Sequence, residues 1–426
     1  MYKRLIASSL FSGSAVYLFS NILTAAIPFA LLPILTRYLT PAEYGQVAIF
    51  QTLVAGLAAF VGLNVSGAAN RKYYDSDFTN EELKYFIGNC FLILAVTTVI
   101  VFLVALVFKE SLSQWLALDI RWLLFAVIVS SATFVISMRM GQWQVKKQAK
   151  KFGVFQVSQS LLNMLLSLLV VVYFLQGAAG RIGVLIAIPM VFAGIALLLL
   201  FKDGLLGFAW RPVYLREILS FGVPLVPHAA GLFLLSSVDR FVINAELGLE
   251  QVGVYMVAVQ LVSAMGLVFD AINNAYVPWL FERLKRDQAE EKKQIVKMTY
   301  VYCLALLGVA ALGFIIGPTL LIWIAGEKYS AAAEVIGWLA LGQAFNGMYL
   351  MVTNYIFYSK RTGFLSVATI TSGLVNVGLL ILLISLIGLK GAAIAFAISM
   401  ALKFLLTWFV AQLRHPMPWF HFRSSH

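Results

Sequence analysis

Apolar residues in this chain run in stretches of about 20 to 27 residues separated by short polar connectors, a length that carries an α-helix across the hydrocarbon of a bilayer. Twelve such stretches are predicted as transmembrane helices, near 13 to 36, 44 to 68, 84 to 108, 120 to 140, 154 to 176, 182 to 201, 218 to 244, 252 to 280, 296 to 324, 332 to 358, 362 to 386 and 390 to 412. Membrane strands are excluded by the same lengths, because a strand needs only about ten residues and alternates in polarity. The first stretch follows basic residues, as a signal peptide would. Its apolar run is longer than a signal peptide's core, so it is read as the first span.

Composition agrees with the pattern. Of the 426 residues 61% are hydrophobic and only 12% are charged, an excess that a water-soluble core cannot bury. The formal charge of +12 comes from basic residues spread over the connectors, not gathered on one face, and so speaks against nucleic-acid binding. Counting Lys and Arg on alternate sides, with the N-terminus inside, gives 23 on the inner side and 6 on the outer, with Arg240 and Lys403 inside spans. That asymmetry predicts a multi-pass protein with both termini in the cytoplasm.

The chain also repeats itself. "YLTPAEYGQVA" before the second span aligns with "ELGLEQVGVYMVA" before the eighth, with Gly45 on Gly253 at an offset of 208. The same offset places Gly180 on Gly388 and Gly183 on Gly391 in "GRIGVLIAI" and "GLKGAAIAF". Six spans per repeat is an even number, so both halves enter the membrane in the same direction. The predicted architecture is an all-α polytopic membrane protein of about 12 helices, in two parallel-repeat lobes around a central cavity. The lobes are residues 1–201 and 218–426, joined by a cytoplasmic linker at 202–217.

Polar residues inside the spans supply the candidate chemistry. On the eighth, Gln260, Ser263, Gly266, Asp270, Asn273 and Asn274 fall within an arc of about 140°. Either a water-filled cavity or hydrogen bonds to a neighbouring helix would account for such a stripe, and lipid would not. Gln343, Asn346, Gly347, Thr353 and Asn354 form a second stripe on the tenth span, open to the same two readings. In the seventh, Ser236, Ser237, Arg240 and Asn244 share an arc, while Asp239 points about 100° away from Arg240 on an unbroken helix, so the two are not expected to pair. Arg240 either lines a cavity or reaches the outer headgroups. Lys403 lies about nine residues from the inner end of the twelfth span, which fits an inward-facing cation or an ion pair with Asp270 or Asp239 better than a side chain that snorkels to the headgroups. Pro28 and Pro33 in the first span, and Pro224 and Pro227 in the seventh, are either hinges or ordinary kinks.

No constellation for hydrolysis or redox chemistry is present, and none for a cofactor or metal. His228, His415, His421 and His426 are scattered, Cys90 and Cys303 lie far apart, and there is no phosphate-binding glycine loop. Energy for a transport cycle would then come from an ion gradient, H+ or Na+, from the membrane potential, or from consumption of product.

Four segments together resemble the Wzx-type polysaccharide flippases of the multidrug/oligosaccharidyl-lipid/polysaccharide (MOP) exporter superfamily. They are "LTRYLTPAEYGQVAIFQTL" at 35 to 53, "VDRFVINAELGLEQVGVYMVAVQL" at 238 to 261, "IAGEKYSAAAEVIGWLALGQAF" at 324 to 345, and 358 to 399 beginning "YSKRTGFLSV". The resemblance implies two six-helix lobes around a lumen and transport, not catalysis. Its cargo would be an undecaprenyl-pyrophosphate-linked oligosaccharide, crossing the bacterial plasma membrane for O-antigen, capsule or exopolysaccharide. A polysaccharide polymerase and a chain-length regulator are implied as partners beside membrane lipid. It further implies that Arg240, and with it Arg37 and Lys403, meets phosphate or acidic sugar. Asp239 and Asp270 are the acids available for ion coupling. The alternative is a drug or organic-cation antiporter of the same superfamily, which needs an acid deep in its lumen. Helices 1 to 6 hold none, since Glu43 and Asp119 lie at edges, while the second lobe offers Asp239 and Asp270, so the distribution speaks against a cation site in the first lobe and leaves one in the second open.

Overall fold

A computed structural model describes the backbone of residues 2–75, 79–359 and 363–419, and the side chains of 15–75, 79–359 and 365–419. His421, His426, Lys360 and Arg361 lie outside the described residues. Within them every regular element is helical and there is no strand. Two compact units divide the chain, Met1–Ala230 and Gly231–His426.

The first unit contains α1 (Tyr2–Tyr38), α2 (Pro41–Leu57), α3 (Ser66–Lys72), α4 (Asn80–Val107), α5 (Lys109–Leu116), α6 (Ile120–Val145), α7 (Ala149–Leu168, prolonged by a π-turn at Leu169–Tyr173), α8 (Gly177–Lys202) and α9 (Pro212–Gly222). A 3-10 turn at Val223–Leu225 leads into α10 (Val226–Ser236), which crosses into the second unit. There follow α11 (Asp239–Leu247), α12 (Leu249–Arg286), α13 (Ala289–Ile315), α14 (Gly317–Ala325), α15 (Ala333–Tyr358), α16 (Gly363–Ile387) and α17 (Leu389–Arg414).

Eleven segments among the described residues are long and apolar enough to cross a membrane. The expected span at 44 to 68 is the exception, because the chain leaves α2 at Leu57 and passes through Gly62, Leu63 and Asn64 at φ of 76°, 47° and 55° before α3. Three successive left-handed residues cannot continue a right-handed helix. Hydropathy is blind to this, since the turn stays apolar and packed: Val61 and Val65 are buried, and the Gly62 N–H donates to Thr97 Oγ1 on α4 at 2.9 Å. The expected span at 218 to 244 is also divided. Pro224 lies in the 3-10 turn and Pro227 near the start of α10, whereas α1 runs on through Pro28 and Pro33. A second break follows at Ser237 and Val238, whose N–H groups both donate to the Phe233 carbonyl, at 2.8 and 3.1 Å, and so end α10.

Capping chemistry sets several helix starts. Thr40 and Glu43 form a reciprocal box at α2, as Thr79 and Glu82 do at α4. The repeat is visible at one junction: α2 and α12 start 208 residues apart, and Gly45 and Gly253 are both buried. At the other junction the register shifts. The left-handed glycine that opens α8 is Gly177 (φ 55°), whereas Gly388 (φ 61°) immediately precedes α17, so Gly180 sits inside α8 and does not match Gly388 in conformation.

Two arginines, Arg139 at the inner edge of the expected span 120 to 140 and Arg181 in the expected connector before 182, lie buried within helices of the first unit. Arg139 of α6 is 1% exposed, ion-paired with Asp203, and lies 4.3 Å from the centre of the Trp143 ring. Arg181 of α8, 7% exposed, donates to Asn163 Oδ1 at 2.8 Å and to Ser167 Oγ, both on α7.

The stretch entering α9 is docked on α4. Asn89, fully buried, donates from Nδ2 to the Ala209 carbonyl at 2.9 Å and accepts the Arg211 N–H on Oδ1 at 3.3 Å. The Gly207 carbonyl oxygen lies 1.8 Å from where a Cβ on Gly88 would be, so the contact needs glycine at 88. Lys72 joins α3 to α9 through Glu217 at 3.1 Å.

In the second unit α15 is central, packed against α12, α13 and α17. Small residues permit the approach: Gly337 meets Phe314, Gly342 meets Phe396 and Gly347 meets Phe269, each leaving no room for a methyl group. Past α17 the chain folds back so that Trp419 is 3% exposed against Tyr300, Tyr355 and Trp408.

Candidate functional site

The second unit encloses a cavity of about 270 Å³ between α10, α11, α12, α15 and α17. Its polar lining is Ser236, Asp239, Arg240, Tyr255, Gln343, Asn346 and Lys403, and Leu232, Val259, Leu339, Phe396 and Met400 are among its apolar walls. Two cations and one carboxylate thus line it, leaving an excess of one positive charge.

The break at Ser237–Val238 decides the geometry of the charged pair. Asp239 falls in the first turn of a new helix, where Oδ1 accepts the Arg240 N–H at 3.0 Å and lies 3.1 Å from Arg240 Nη1. The expectation that these neighbours do not pair is therefore corrected: it assumed one continuous helix, and the helix is interrupted. Asp239 is 4% and Arg240 9% exposed, so this is a buried ion pair. The second carboxylate oxygen is also occupied, because Tyr255 donates its hydroxyl to Asp239 Oδ2 at 2.7 Å. Arg240 in turn donates from Nη1 to the Ser236 carbonyl and from Nε to Met256 Sδ at 3.0 Å.

Tyr255, missed in the sequence, has a signal there after all. Gly248 (φ 84°) turns the chain back on itself between α11 and α12, which brings Asp239 to Tyr255 and Arg240 to Met256, each pair sixteen residues apart. Only a residue without a β-carbon takes that conformation at little cost.

Lys403 is held differently. It is 5% exposed, its Nζ lies 3.7 Å from the centre of the Tyr349 ring, and among the described residues no carboxylate comes within 4.0 Å of it. The expected pairing with Asp270 or Asp239 is absent, and the alternative of an inward-facing cation is what forms. Gln343, in the same lining, has its Oε1 buried without a hydrogen-bond partner.

The remaining candidates divide. Asn354 donates to Asn273 Oδ1 at 2.8 Å, so at that level the two stripes hold α12 to α15 by a helix-to-helix hydrogen bond. Gln260 is half-buried, Asp270 and Asn274 are exposed on α12, and none of the three lines the cavity. Asn244 is 8% exposed near the end of α11, outside the lining. Arg37 is exposed in the last turn of α1 in the first unit.

Comparison with known proteins gives three findings. The family described as "Polysaccharide biosynthesis protein" matches residues 10–284. The "Lsg locus putative protein 1" of Haemophilus influenzae is 23% identical over 381 residues, 88% of this chain and 91% of that protein. Among solved structures, the lipid II flippase MurJ in an inward closed conformation aligns with a TM-score of 0.73 at 14% identity, covering 94% of this chain and 87% of that one. An inward-facing multidrug resistance MATE family transporter of the MOP superfamily aligns at 0.69 with 17% identity, covering 92% and 94%. At such identities the structural likeness speaks for the fold.

Proposed function

The chain belongs to the family described as polysaccharide biosynthesis protein, and on that premise we propose that it is a multi-pass transporter of the MOP superfamily, not an enzyme, and flips a polyprenyl-pyrophosphate-linked oligosaccharide across the bacterial plasma membrane. The cycle is alternating access between the two lobes expected from the repeat, 1–201 and 218–426, joined through 202–217. Both termini are cytoplasmic, and the glycan serves O-antigen, capsule or exopolysaccharide assembly together with a polymerase and a chain-length regulator.

One observation carries the reading: the cavity of the second unit has an excess positive charge and amide groups in its wall. Such a lining suits a phosphate or an acidic sugar surrounded by hydroxyls. Further support comes from the fold shared with a protein named as a lipid II flippase. A drug antiporter would need a carboxylate free to hold a cation. Asp239, the cavity's acid, has both oxygens engaged by Arg240 and Tyr255, and Asp270 is exposed on α12 outside the cavity, so the cavity itself offers a cation no free carboxylate.

The test is a strain lacking this protein and complemented with it. Surface polysaccharide should disappear on deletion and return on complementation, with lipid-linked precursor accumulating between. Normal polysaccharide in the deletion strain, together with increased sensitivity to cationic drugs, would replace this reading with the antiporter.

A further inference from the structure

Several cations in the connectors that the charge count assigns to the inner side are paired within the protein. In the α12–α13 connector Arg286 pairs with Glu282 and Glu291, Lys292 with Asp287 and Lys293 with Glu290. At the end of α3, Lys72 holds Asp75 and Glu217. The turn from α6 to α7 differs. Lys146, Lys147, Lys150 and Lys151 follow one another closely there, and among the described residues no carboxylate comes within 4.0 Å of any of them.

The acid that acts on Lys146 is Asp203, at the end of α8, and Arg139 already holds it. With Arg139 and Lys202 added to the four lysines, the ends of these three helices bring six cations to a single carboxylate. Two features make the crowding costly. Lys146 is half-buried, and its pKa is pushed below the ordinary 10.5 chiefly by burial, with Asp203 opposing the shift and Arg139 and Lys151 adding to it. Lys150 and Lys151 occupy the first turn of α7, where a cation opposes the helix dipole, and no acid stands in that turn, whereas α4 opens with Glu81 and Glu82.

The face of α7 beyond the lysines narrows what can balance them. At 100° per residue Lys150, Val154, Leu161 and Leu165 fall within an arc of about 60°, and Lys151, Ser158, Leu162 and Leu169 widen it to about 120°. All eight are exposed. The stripe thus opens with two ammonium groups and runs on for about 28 Å, apolar but for Ser158, a length suited to acyl chains. The neighbouring α8 ends in the same order, with exposed Leu198 and Phe201 before Lys202. A free phosphate would meet the lysines and leave the stripe unused. An amphiphile with an anionic head matches both.

We propose that these helix ends form a docking surface for anionic phospholipid, with headgroup phosphates on Lys146, Lys147, Lys150 and Lys151 and acyl chains along the exposed face of α7. The leaflet is the cytoplasmic one on the orientation given above, and the assignment goes beyond the flippase reading without depending on the cargo. The lipid supplies the anions that this part of the sequence lacks, so the first unit should gain stability as the anionic fraction of the bilayer rises.

Native mass spectrometry of the full-length protein tests this, with phosphatidylglycerol, phosphatidylcholine and glycerol 3-phosphate as probes. The tightest phosphatidylglycerol should bind about tenfold more strongly than phosphatidylcholine, and glycerol 3-phosphate should not bind. Lys150→Gln with Lys151→Gln, two exposed positions where substitution costs little stability, should weaken phosphatidylglycerol binding about tenfold and leave phosphatidylcholine unchanged. Lys150→Arg with Lys151→Arg should keep it within about threefold. Lys285→Gln with Lys297→Gln removes the same charge from the α12–α13 connector and should change it less than about twofold.

Equal phosphatidylglycerol binding by the Lys150→Gln, Lys151→Gln protein and the unaltered one overturns the assignment. So does an equal loss in the Lys285→Gln, Lys297→Gln control, which would reduce the effect to net charge. Glycerol 3-phosphate bound as tightly as the lipid would also overturn it, by making the patch a site for a soluble phosphate. None of these outcomes bears on the flippase reading, which the deletion strain tests separately.

Discussion

The first unit buries two arginines and the second buries an arginine and a lysine, and the difference lies in what surrounds them. Arg139 has Asp203 and the Trp143 ring, while Arg181 has two neutral partners, Asn163 and Ser167, no carboxylate within 4.0 Å among the described residues, and an Nε without a partner. In the second unit Arg240 is held as Arg139 is, by Asp239, while Lys403 beside it faces a cavity. Burial of charge is therefore no signal of a site by itself. The signal is a buried charge that has no counter-ion and also lines a cavity, as Lys403 does and Arg181 does not.

Breaking the completed pairs should cost stability and breaking the uncompleted one should not. Asp239→Ala leaves Arg240 buried without its counter-ion and is expected to cost about 3–5 kcal/mol. Thermal unfolding in detergent would measure it, and Asp239→Ala with Arg240→Leu should recover most of the loss. Arg181→Leu removes two charge-assisted hydrogen bonds to α7 and should cost about 2 kcal/mol, again with no effect on ligand binding. A binding defect in that variant would erase the contrast between the units.

The smallest effect belongs to an exposed pair that serves as a control. Asp119 caps α6 through the Arg121 N–H at 2.8 Å and pairs with the Arg121 side chain at 3.1 Å. The side-chain hydrogen bond from Arg121 holds the Asp119 carboxyl below its ordinary value of 3.8. A lowered carboxylate pKa gives stability that is complete above that value and is lost as the pH falls through the lowered one. Asp119→Ala should thus cost about 1 kcal/mol at neutral pH, and the gap in unfolding temperature should close below pH 3.8.

Much of this was legible in the sequence, and the reason is length. An apolar run that must cross a bilayer declares itself in hydropathy, and polar residues placed within such a run have few fates. Lys403, Gln343, Asn346, Asp239 and Arg240 could be singled out that way, and they share one cavity. What escaped depends on where helices stop. Gly62, Leu63 and Asn64 break the second span with no loss of apolar character, and Ser237 and Val238 break the seventh inside a periodic pattern. Once α11 is a separate helix, Asp239 meets both Arg240 and Tyr255, and arcs drawn on a continuous helix no longer apply. Arg139 and Arg181 escaped for a related reason, because they sit near ends of apolar runs where a basic residue looks like a connector.

The docking of the segment before α9 bears on which substitutions this protein can accept. Asn89 grips the backbone of residues 209 and 211, an amide and a carbonyl that every non-proline residue offers. The side chain of Ala209 is therefore free to drift without loosening that grip, the Arg211 guanidinium adds to it from 4.4 Å over the Tyr85 ring of α4, and a β-carbon at Gly88 collides with the Gly207 carbonyl. Tolerance to mutation should thus be graded here: wide variety at 209, less at 211, where the Tyr85 contact is lost, and almost none at 88. A saturation scan of the three positions would display that inequality as a difference in the number of residues each one admits.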